Sequence, residues 1–315
     1  MTLALTPGPG EARPEVLART VAALWTPPAE RLDGGWLPRP LPAVAWEIVL
    51  RPGGATTWYL TAPAEYAHAL HRQAQVAWPA ATVEPAPDPF ADLAPAATGV
   101  GALQKHFLFP LRVDRRTQAP LPALLEATRL LGEGEAVAVQ VLMVPAPPDW
   151  WAAAVPAYEQ YRRGRMPRRV GLDARALAQG GARLLAGLVL ETVSVVGELL
   201  AGEPPPVAAP LDGTDLAYVL RERPDGARIA AKLRGDAVDV TVRVAVQAQD
   251  PHHARAVLRA VAWAFRELDG DNALVVEPAP AERVWPAMLA RQAPVWKPNH
   301  DYLATWEAAQ LLHLP

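Results

Sequence analysis

The chain has 315 residues, of which 51% are hydrophobic and 20% charged, and this composition predicts a globular protein with room for two domains. It excludes an intrinsically disordered chain, which would be poorer in hydrophobic residues. The formal net charge of −3 gives no overall attraction to nucleic acid, although it leaves room for a local basic patch. The lack of cysteine excludes disulfides, thiol catalysis and cysteine-ligated metals, and no secretory signal is visible at the N-terminus.

The first part of the chain alternates between helix and strand patterns. Residues 1–12 are rich in proline and glycine, and we expect them to be a mobile leader. The run Pro52-Gly53-Gly54 is a strong hairpin signal between two strands. In chain order, this part predicts a helix, two strands joined by that hairpin, a second helix and a third strand, at residues 13–25, 44–51, 56–61, 63–76 and 81–84.

The alternation continues after a long connection. Residues 85–102 are rich in Pro, Ala and Gly and predict a loop over the surface. A strand, a helix and a valine-rich central strand follow at residues 106–113, 120–131 and 136–144. From residue 56 to residue 144 the order is therefore β-α-β-β-α-β. This is the split β-α-β or ferredoxin-like order, with both helices on one face of an antiparallel sheet.

A segment of different character comes next. Residues 180–202 form a long apolar run, but its uninterrupted stretch is too short for a membrane span, and Glu191 and Glu198 would be costly in hydrocarbon. A helix packed on the protein itself is favoured, and a helix docked on a partner or on a membrane surface stays open. Glu203 and the three prolines after it end the run.

The clearest unit of the sequence lies between residues 236 and 280. Five valines alternate with other residues from Val238 to Val246, which is the period of a half-buried strand. Asp250-Pro251 is an N-cap followed by proline at the first helical position, and the helix that it opens carries one apolar face. A strand at residues 273–277 completes a β-α-β unit, and residues 281–291 predict a further helix.

An earlier unit, between residues 57 and 84, has the same order of elements. Both units end on the same five residues, Val83-Glu84-Pro85-Ala86-Pro87 and Val276-Glu277-Pro278-Ala279-Pro280. In a chain this rich in Ala and Pro, chance stays open as an explanation of the shared residues. The shared order of elements therefore carries more weight than the shared residues.

Together these patterns predict an α+β fold of two ferredoxin-like (split β-α-β) lobes with antiparallel sheets and an inserted helical segment. The predicted domains are a leader with a short helix, a first lobe, a basic linker with an apolar helix, a second lobe and a C-terminal tail, at residues 1–40, 41–150, 151–212, 213–300 and 301–315.

The sequence contains no recognisable catalytic, cofactor-binding or metal-binding pattern. Residues 99–106 include glycines and a lysine, but without the GxxxxGK(S/T) spacing of a phosphate-binding loop. His68 and His71 lie three residues apart on a predicted helix, but no third metal ligand is evident close by. GxSxG, HExxH and paired-carboxylate patterns are also missing. We therefore predict no catalytic residue, no cofactor and no metal site.

Two clusters are candidates for contacts with a partner. Residues 158–169 are dense in tyrosine and arginine, which suits DNA phosphates or an anionic membrane surface, and equally a solvated linker or an acidic neighbour. We predict that Trp150 and Trp151 belong to a protein interface, and that Trp263 and Trp285 belong to the core. The members of the basic-aromatic cluster are Tyr158, Tyr161, Arg162, Arg163, Arg165, Arg168 and Arg169.

The last residues carry a family resemblance. Residues 302–315, YLATWEAAQLLHLP, resemble the LSxxELAxLxHLP segment of conjugative type IV secretion ATPases, which lies directly ahead of their FtsK/HerA-type P-loop motor domain. Residues 45–50, and residues 122–142 with their LLEA and GEAVAVQVL stretches, are similar to segments of the N-terminal region of that family. The resemblance spans residues 40–315 apart from the apolar run at 180–202.

The resemblance implies a non-catalytic N-terminal module that docks a motor domain or motor subunit onto secretion channel subunits. Such a module would lie in the cytoplasm, peripheral to the inner face of the cell membrane, and would form a homo-oligomer. The motor is absent from this sequence, so no Walker or arginine-finger residue is carried over. Two alternatives stay open: a nucleic-acid-binding protein that uses the cluster at 158–169, and a small enzyme on a ferredoxin-like scaffold.

Overall fold

The computed structural model describes residues 1–31, 40–113, 120–167, 169, 226–294, 297 and 299–314. Within them the fold is α+β, as the sequence predicts. The strands are β1 (Thr2–Thr6), β2 (Val44–Leu50), β3 (Thr56–Thr61), β4 (Thr82–Ala86), β5 (Ala97–Leu103), β6 (Ala136–Pro145), β7 (Ala237–Gln247), β8 (Leu274–Ala279) and β9 (Tyr302–Ala304). The helices are α1 (Pro14–Ala22), α2 (Ala64–Ala77), α3 (Leu121–Ala127), α4 (Ala154–Arg162), α5 (Gly226–Leu233), α6 (Pro251–Ala264), α7 (Ala281–Leu289) and α8 (Thr305–Ala308).

One antiparallel sheet contains all nine strands of the described residues. Its order is β4-β1-β3-β2-β6-β7-β5-β8, and β9 pairs with the first residues of β7, beyond the stretch that β5 covers. β2 and β6 pair in the middle of the sheet, with Ile48 opposite Val139. This pairing joins the strands of residues 2–86 to the strands of residues 97–279.

The two groups of strands are connected in the same way. We term residues 2–86 the N-terminal half and residues 97–279 the C-terminal half. The N-terminal half contains β1-α1-β2-β3-α2-β4 in the sheet order β4-β1-β3-β2, and the C-terminal half contains β5-α3-β6-β7-α6-β8 in the equivalent order β8-β5-β7-β6. Because β2 and β6 are antiparallel, an approximate two-fold axis perpendicular to the sheet relates the halves. β5 and β6, which fall inside the predicted lobe at residues 41–150, both pair with β7.

The unit β7-α6-β8 follows the sequence prediction closely. The Asp250 side chain accepts hydrogen bonds from the backbone N–H groups of His252 and His253, at 2.9 and 3.2 Å, so the predicted N-cap is confirmed. The first four residues of the sequence shared by residues 83–87 and 276–280 lie at equivalent positions in β4 and β8, at the two outer edges of the sheet. Their equivalent placement favours a common structural role over coincidence.

The N-terminal residues are part of the sheet, so the prediction of a mobile leader is wrong. β1 lies between β3 and β4 and pairs with both. Leu3 and Leu5 are buried in the core, because strand alternation places both side chains on the same face. The signal was the alternation in TLALT, which the prolines and glycines after it obscured.

The strand before α3 also differs from the prediction. Residues 97–103 form β5 inside the predicted loop, whereas the predicted strand at 106–113 is not a strand. A glycine makes the position of β5 possible, because a Cβ added at Gly101 would lie only 2.9 Å from Cβ of Val242. The glycines that indicate a loop in sequence therefore allow close packing of neighbouring strands here.

The apolar residues after β5 pack in irregular structure. Asn272 Nδ2 lies within hydrogen-bonding distance of the carbonyl oxygens of Lys105, His106 and Phe109, at 3.2, 3.0 and 3.2 Å. A buried backbone needs hydrogen-bond partners, and this side chain supplies them where a strand would otherwise be required. The segment can therefore bury its apolar residues without joining the sheet.

Both faces of the sheet are covered. Helices α1, α2, α3 and α6 pack on one face and contribute to the main core. Helix α7 covers the centre of the other face, where Met288 and the half-buried Trp285 pack with Val49 and Ala138. β2 is therefore buried along its whole length and β6 along nearly all of it, which explains why their sequences are almost continuously apolar.

Among the described residues, none of the helices combines the length and apolar character that a membrane crossing needs. The predicted apolar helix at residues 180–202 and most of the predicted linker at residues 151–212 lie outside the described residues.

Helix α1 bridges the two halves, because it packs against α2, α8 and strands β6 and β7. Leu17 on its inner face is fully buried. We expect Leu17→Ala to lower the free energy of unfolding, measured by urea denaturation, by about 2–5 kcal/mol, because it leaves a cavity in this bridge. Val155→Ala, at an exposed residue of α4, is the control and should cost less than about 0.5 kcal/mol. Equal losses in the two variants would contradict the bridging role of α1.

Candidate interaction site

The C-terminal residues that carry the family resemblance are built into the fold. We term residues 299–314 the C-terminal segment. β9 continues into α8 and then into a 3-10 turn at Ala309–Leu311. From residue 301 to residue 314 every side chain is buried except Trp306 and His313, which are half-buried. The segment is therefore part of the core and not an extension from it.

A buried ion pair holds this segment to the C-terminal half. Lys232 Nζ in α5 lies 2.9 Å from Glu307 Oε2 in α8, and neither side chain has exposed surface. The Glu307 carboxylate also accepts hydrogen bonds from the backbone N–H groups of Leu111, at 2.7 Å, and Ala304, at 2.8 Å. Burial lowers the pKa of Lys232, and the charge of Glu307 opposes that shift. The pair thus joins three segments that are distant in sequence.

A second polar cluster fixes the start of the segment. Asp301 Oδ1 accepts a hydrogen bond from Arg169 Nη1 at 2.6 Å. Lys297 Nζ bridges Asp301 and Asp239, at 3.0 and 2.6 Å. Burial acts to raise the pKa of Asp239, but the hydrogen bond from His300 and the charge of Lys297 outweigh burial, and the pKa is lowered. The carboxylates here are therefore compensated by neighbouring cations.

Trp150, one of the two predicted interface residues, lies inside an aromatic cluster. Its ring centroid is 5.9 Å from that of Phe107 and 5.7 Å from that of Tyr302. Trp150 is buried, and its Nε1 donates a hydrogen bond to the carbonyl oxygen of Gly235 at 3.2 Å. Tilted and edge-to-face contacts of this kind favour a fixed arrangement of the rings. Trp150 therefore secures the C-terminal segment from within.

Trp151, the other predicted interface residue, is half-buried and lines a cleft of about 330 Å³. The half-buried Trp25 and the pair Pro147-Pro148 are further apolar walls, and the exposed Arg234 and Asp236 also line the cleft. We term this the Trp cleft. Aromatic walls with a few charged groups are typical of surfaces that bind a polypeptide.

The predicted basic-aromatic cluster is divided between the interior and the surface. Tyr158 is buried, and the ring of Tyr161 packs edge-to-face on Phe109 with centroids 5.0 Å apart. Arg169 points inward to Asp301. These three side chains contribute to the packing of α4 and of the C-terminal segment.

The other members of the cluster that the structure describes face solvent. Arg162 and Arg163 lie 3.5 and 3.8 Å from Glu159, and Arg165 is exposed just after α4. Arg168 lies outside the described residues. Exposed ion pairs are weak, so Arg162 and Arg163 stay accessible to an anionic partner. The contact with DNA or an anionic membrane stays a prediction.

A row of polar side chains crosses the other face of the sheet, and the sequence analysis missed it. Glu47, Gln140 and Arg243 are cross-strand neighbours on β2, β6 and β7. Gln140 Nε2 donates to Glu47 Oε1 at 2.8 Å, and Arg243 Nη1 donates to Gln140 Oε1 at 3.0 Å. Arg291, just after α7, donates to Glu47 at 2.9 Å and to Asp88 at 2.6 and 2.7 Å. Glu47 and Gln140 each interrupt an apolar run, which is the signal that could have found the row, whereas Arg243 follows the alternating pattern of β7.

The electrostatics of this row indicate a structural role. Burial raises the pKa of Glu47, against the opposing effect of its hydrogen bond with Arg291. Burial also lowers the pKa of Arg243 to about 10. Arg243 donates to the carbonyl oxygens of Ala287 and Gln292 at the end of α7, so the row fixes this helix on the sheet.

A cavity of about 1050 Å³ opens beside the row, with Glu30, Glu65 and Tyr66 among its polar walls. Arg291 also lines it, but its guanidinium already binds Glu47 and Asp88. In the part of the chain that the structure describes, no cluster of three or more His, Asp or Glu side chains could hold a metal ion.

No protein-family model matches the chain, and a search of the curated proteins also finds no match. The proposals below therefore rest on the resemblance of the C-terminal segment and on the geometry of the described residues.

Removal of one partner of the Lys232–Glu307 pair leaves a buried charge. We expect Lys232→Met to lower the free energy of unfolding by about 3–5 kcal/mol. Adding Glu307→Gln should recover part of that loss, because it removes the uncompensated charge and keeps an oxygen for the N–H of Leu111. Urea denaturation of the single and double variants measures the coupling, and additive losses would contradict a direct pair. Arg228→Met, which removes an exposed ion pair with Asp271, should cost less than about 1 kcal/mol.

His106 should make the stability of this region depend on pH. Its Nδ1 accepts a hydrogen bond from the N–H of Leu108 at 3.1 Å, and burial, with the charges of Arg169 and Lys232, lowers its pKa from 6.5 to about 4. The unfolded chain binds this proton near pH 6.5 and the folded chain only near pH 4, so stability is lost as the pH falls between these values. We expect His106→Asn to flatten the pH dependence of urea denaturation across this interval. An unchanged slope would contradict the assignment.

Proposed function

We propose that this chain is the non-catalytic N-terminal docking and oligomerisation module of a conjugative DNA-transfer ATPase of type IV secretion. In this role it contacts channel subunits at the cytoplasmic face of the membrane and assembles with copies of itself. ATP hydrolysis belongs to a motor domain or motor subunit. The resemblance of residues 302–315 and 122–142 to that family supports the assignment.

Each half, in this proposal, is a ferredoxin-like lobe. The support is the arrangement of its two split β-α-β units, since β3 lies between β1 and β2 while β1 lies between β3 and β4. The same relation recurs in the C-terminal half with β7 and β5 in these places. Sharing one sheet through β2 and β6 makes the two lobes a single scaffold. This fold hosts many unrelated activities, so the proposed function rests on the anchored C-terminal segment and the Trp cleft rather than on the fold.

The observation that carries the proposal is the anchoring of the C-terminal segment. Glu307 stands at the acidic position of LSxxELAxLxHLP, and it pairs with Lys232 in the core. A motor attached after this segment would be fixed to the C-terminal half by a buried ion pair and by β9. Such rigid attachment is what a docking module needs, because a change in the motor is then transmitted to the scaffold.

Within this role, the Trp cleft is the proposed contact for channel subunits. Tryptophan is enriched among the residues that dominate the binding energy of protein interfaces, and both Trp25 and Trp151 are partly accessible in the cleft. The exposed Arg162, Arg163 and Arg165 form a basic surface suited to an anionic membrane or to DNA.

Conjugative transfer tests the proposal directly. Deleting the coding sequence in its host should reduce plasmid transfer in a mating assay to the level of a strain without the channel, and the wild-type gene should restore it. We expect Trp151→Ala to restore transfer poorly, because this change removes an aromatic wall of the Trp cleft. Circular dichroism should show that the variant protein remains folded. Val155→Ala is the control and should restore transfer fully. Undiminished transfer after the deletion would overturn the proposal.

The genomic context provides an independent test. We expect the reading frame to continue past Pro315 into a GxxxxGK(S/T) sequence, or an adjacent gene to encode the motor. If neither is found, the conjugative assignment loses most of its support. A pull-down with purified channel subunits, compared between wild type and Trp151→Ala, then separates docking at the Trp cleft from docking elsewhere.

A further inference from the structure

Trp263 is exposed, and the prediction that it belongs to the core is wrong. Its exposed fraction of 64% is the highest among the large hydrophobic side chains of the described residues that lie at the surface. The buried face of α6 is formed by Ala254, Val257, Val261 and neighbours at the same spacing, and Trp263 lies outside it. A large apolar ring in solvent is the kind of side chain that binds a partner.

Arginines surround this ring on the solvent face of α6. Arg255, Arg259, Trp263 and Arg266 follow one another at intervals of four, four and three residues, which places them on one face of α6 and of the 3-10 turn that continues it. The Arg266 guanidinium lies 4.5 Å from the Trp263 ring centroid, and it pairs with Asp269 at 3.1 Å. Arg259 has no ion-pair partner among the described residues. This face therefore carries unneutralised positive charge beside an apolar ring.

A groove of about 390 Å³ lies between this face and the outer strand β8. Ala262, Val275 and Val276 provide apolar walls, and Trp263 and Arg259 line the groove from the helix. An apolar groove with arginine along one side suits a ligand that carries both apolar groups and negative charges.

The edge of β8 has free backbone groups at this groove. The Gln104 N–H donates to the carbonyl oxygen of Ala273 at 2.8 Å, so the backbone groups of Ala273 face β5. In an antiparallel pair every second residue faces the partner strand, and the residues between them face away from it. Leu274 and Val276 are then the residues whose N–H and C=O groups face outward, where no described strand pairs with them. Pro278 is the next outward residue and has no N–H, so the open edge is short.

From these features we infer that the groove between α6 and β8 binds an extended acidic segment of a partner protein. The segment adds as a short strand to Leu274 and Val276, places an apolar side chain against Trp263, and directs carboxylates to Arg255 and Arg259. Strand addition supplies affinity through the backbone, and the arginines select for negative charge. This site is separate from the Trp cleft and does not depend on the conjugative assignment.

The N-terminal half contains an equivalent position that lacks these features. Aligning the buried residues of α2 with those of α6 places Val76 opposite Trp263 and Arg72 opposite Arg259. The third arginine, Arg266, lies in the 3-10 turn that follows α6, and the residue that aligns with it in the N-terminal half is Pro79. The binding features are therefore specific to the C-terminal half, and the chain itself offers matched control positions.

An acidic polypeptide fits this surface better than a nucleic acid does. Single-stranded nucleic acids stack successive bases on several aromatic rings, whereas Trp263 is alone on this helix face and partly covered by Arg266. The free N–H and C=O groups of Leu274 and Val276 match the spacing of a polypeptide backbone.

Fluorescence anisotropy with a labelled peptide of alternating glutamate and leucine tests the inference. We expect the full chain to bind this peptide at low salt and to bind a matched lysine–leucine peptide far more weakly. Trp263→Val, which installs the residue of the equivalent position, and Arg259→Glu should each weaken binding by about thirtyfold, as loss of a hot-spot residue does. Val76→Ala and Arg72→Glu, the matched controls in the N-terminal half, should leave binding unchanged.

Amide hydrogen exchange gives the second measurement. The peptide should slow exchange at Leu274 and Val276, which charge attraction alone would not do. Absence of peptide binding, equal loss in the control variants, or unchanged exchange at these two amides would overturn the proposal. So would preferential binding of a labelled oligothymidylate that is lost in Arg259→Glu, since the surface would then be a nucleic-acid site. Self-association of the chain that Trp263→Val abolishes would instead assign the groove to a second copy.

Discussion

The pairing of β2 with β6 is the constraint on which the rest of the architecture depends. Their register runs from Val44 opposite Met143 to Leu50 opposite Val137, and it makes one sheet of strands from both halves. Apart from Glu47 and Gln140, both strands are apolar toward both faces, so the seam is stable only when each face is covered. Helix α1 packs on β6 from one side, and α7 covers both strands from the other. The halves therefore depend on each other for burial and cannot be regarded as two independent bodies.

Buried charges determine where the covering segments dock. The Glu47–Arg291 pair fixes the end of α7, and the Lys232–Glu307 pair fixes α8. Buried ion pairs add little net stability, because desolvation offsets their attraction, but an unpaired member is costly. We expect their effect here to be selective, because displacement of either segment would leave a buried charge unpaired. Apolar packing provides the stability of the sheet, and these pairs select among the ways of covering it.

Sequence reasoning succeeded where a pattern was local and complete. The alternating valines of β7 and the Asp250 cap of α6 needed no information about distant residues. Sequence reasoning failed for β1 and β5. The prolines and glycines near these strands indicate loops when the strands that pack against them are not known. The compensating charges were also hidden, since Glu47 and Arg291 lie 244 residues apart in the sequence. Pairings between distant segments follow from topology, which a short sequence window does not contain.

The tryptophans illustrate the same limit within the candidate sites. Trp150 does not belong to a periodic apolar pattern. Its burial follows from contacts with Phe107, which precedes it in the chain, and with Tyr302, which follows it, and the fold brings these distant residues together. Trp263 is different, because its position relative to Val257 and Val261 on α6 places it toward solvent. Helical periodicity alone was sufficient to predict its exposure. The prediction that Trp263 belongs to the core did not use this periodicity.

The two halves share the order of their strands and helices but differ in the segments that are joined to them. The second and third strands are joined by a tight turn at Pro52–Gly54 in the N-terminal half, whereas residues 146–236 make the same connection in the C-terminal half. The C-terminal segment pairs with β7, and Trp263 lies on α6, so these attachments also belong to the C-terminal half. Pro85 and Pro278 remove an N–H from each outer strand, which limits uncontrolled strand addition at both ends of the sheet. The proposed contact at the Trp cleft draws on both halves, through Trp25 and Trp151, whereas the groove at Trp263 and the anchored C-terminal segment distinguish the C-terminal half.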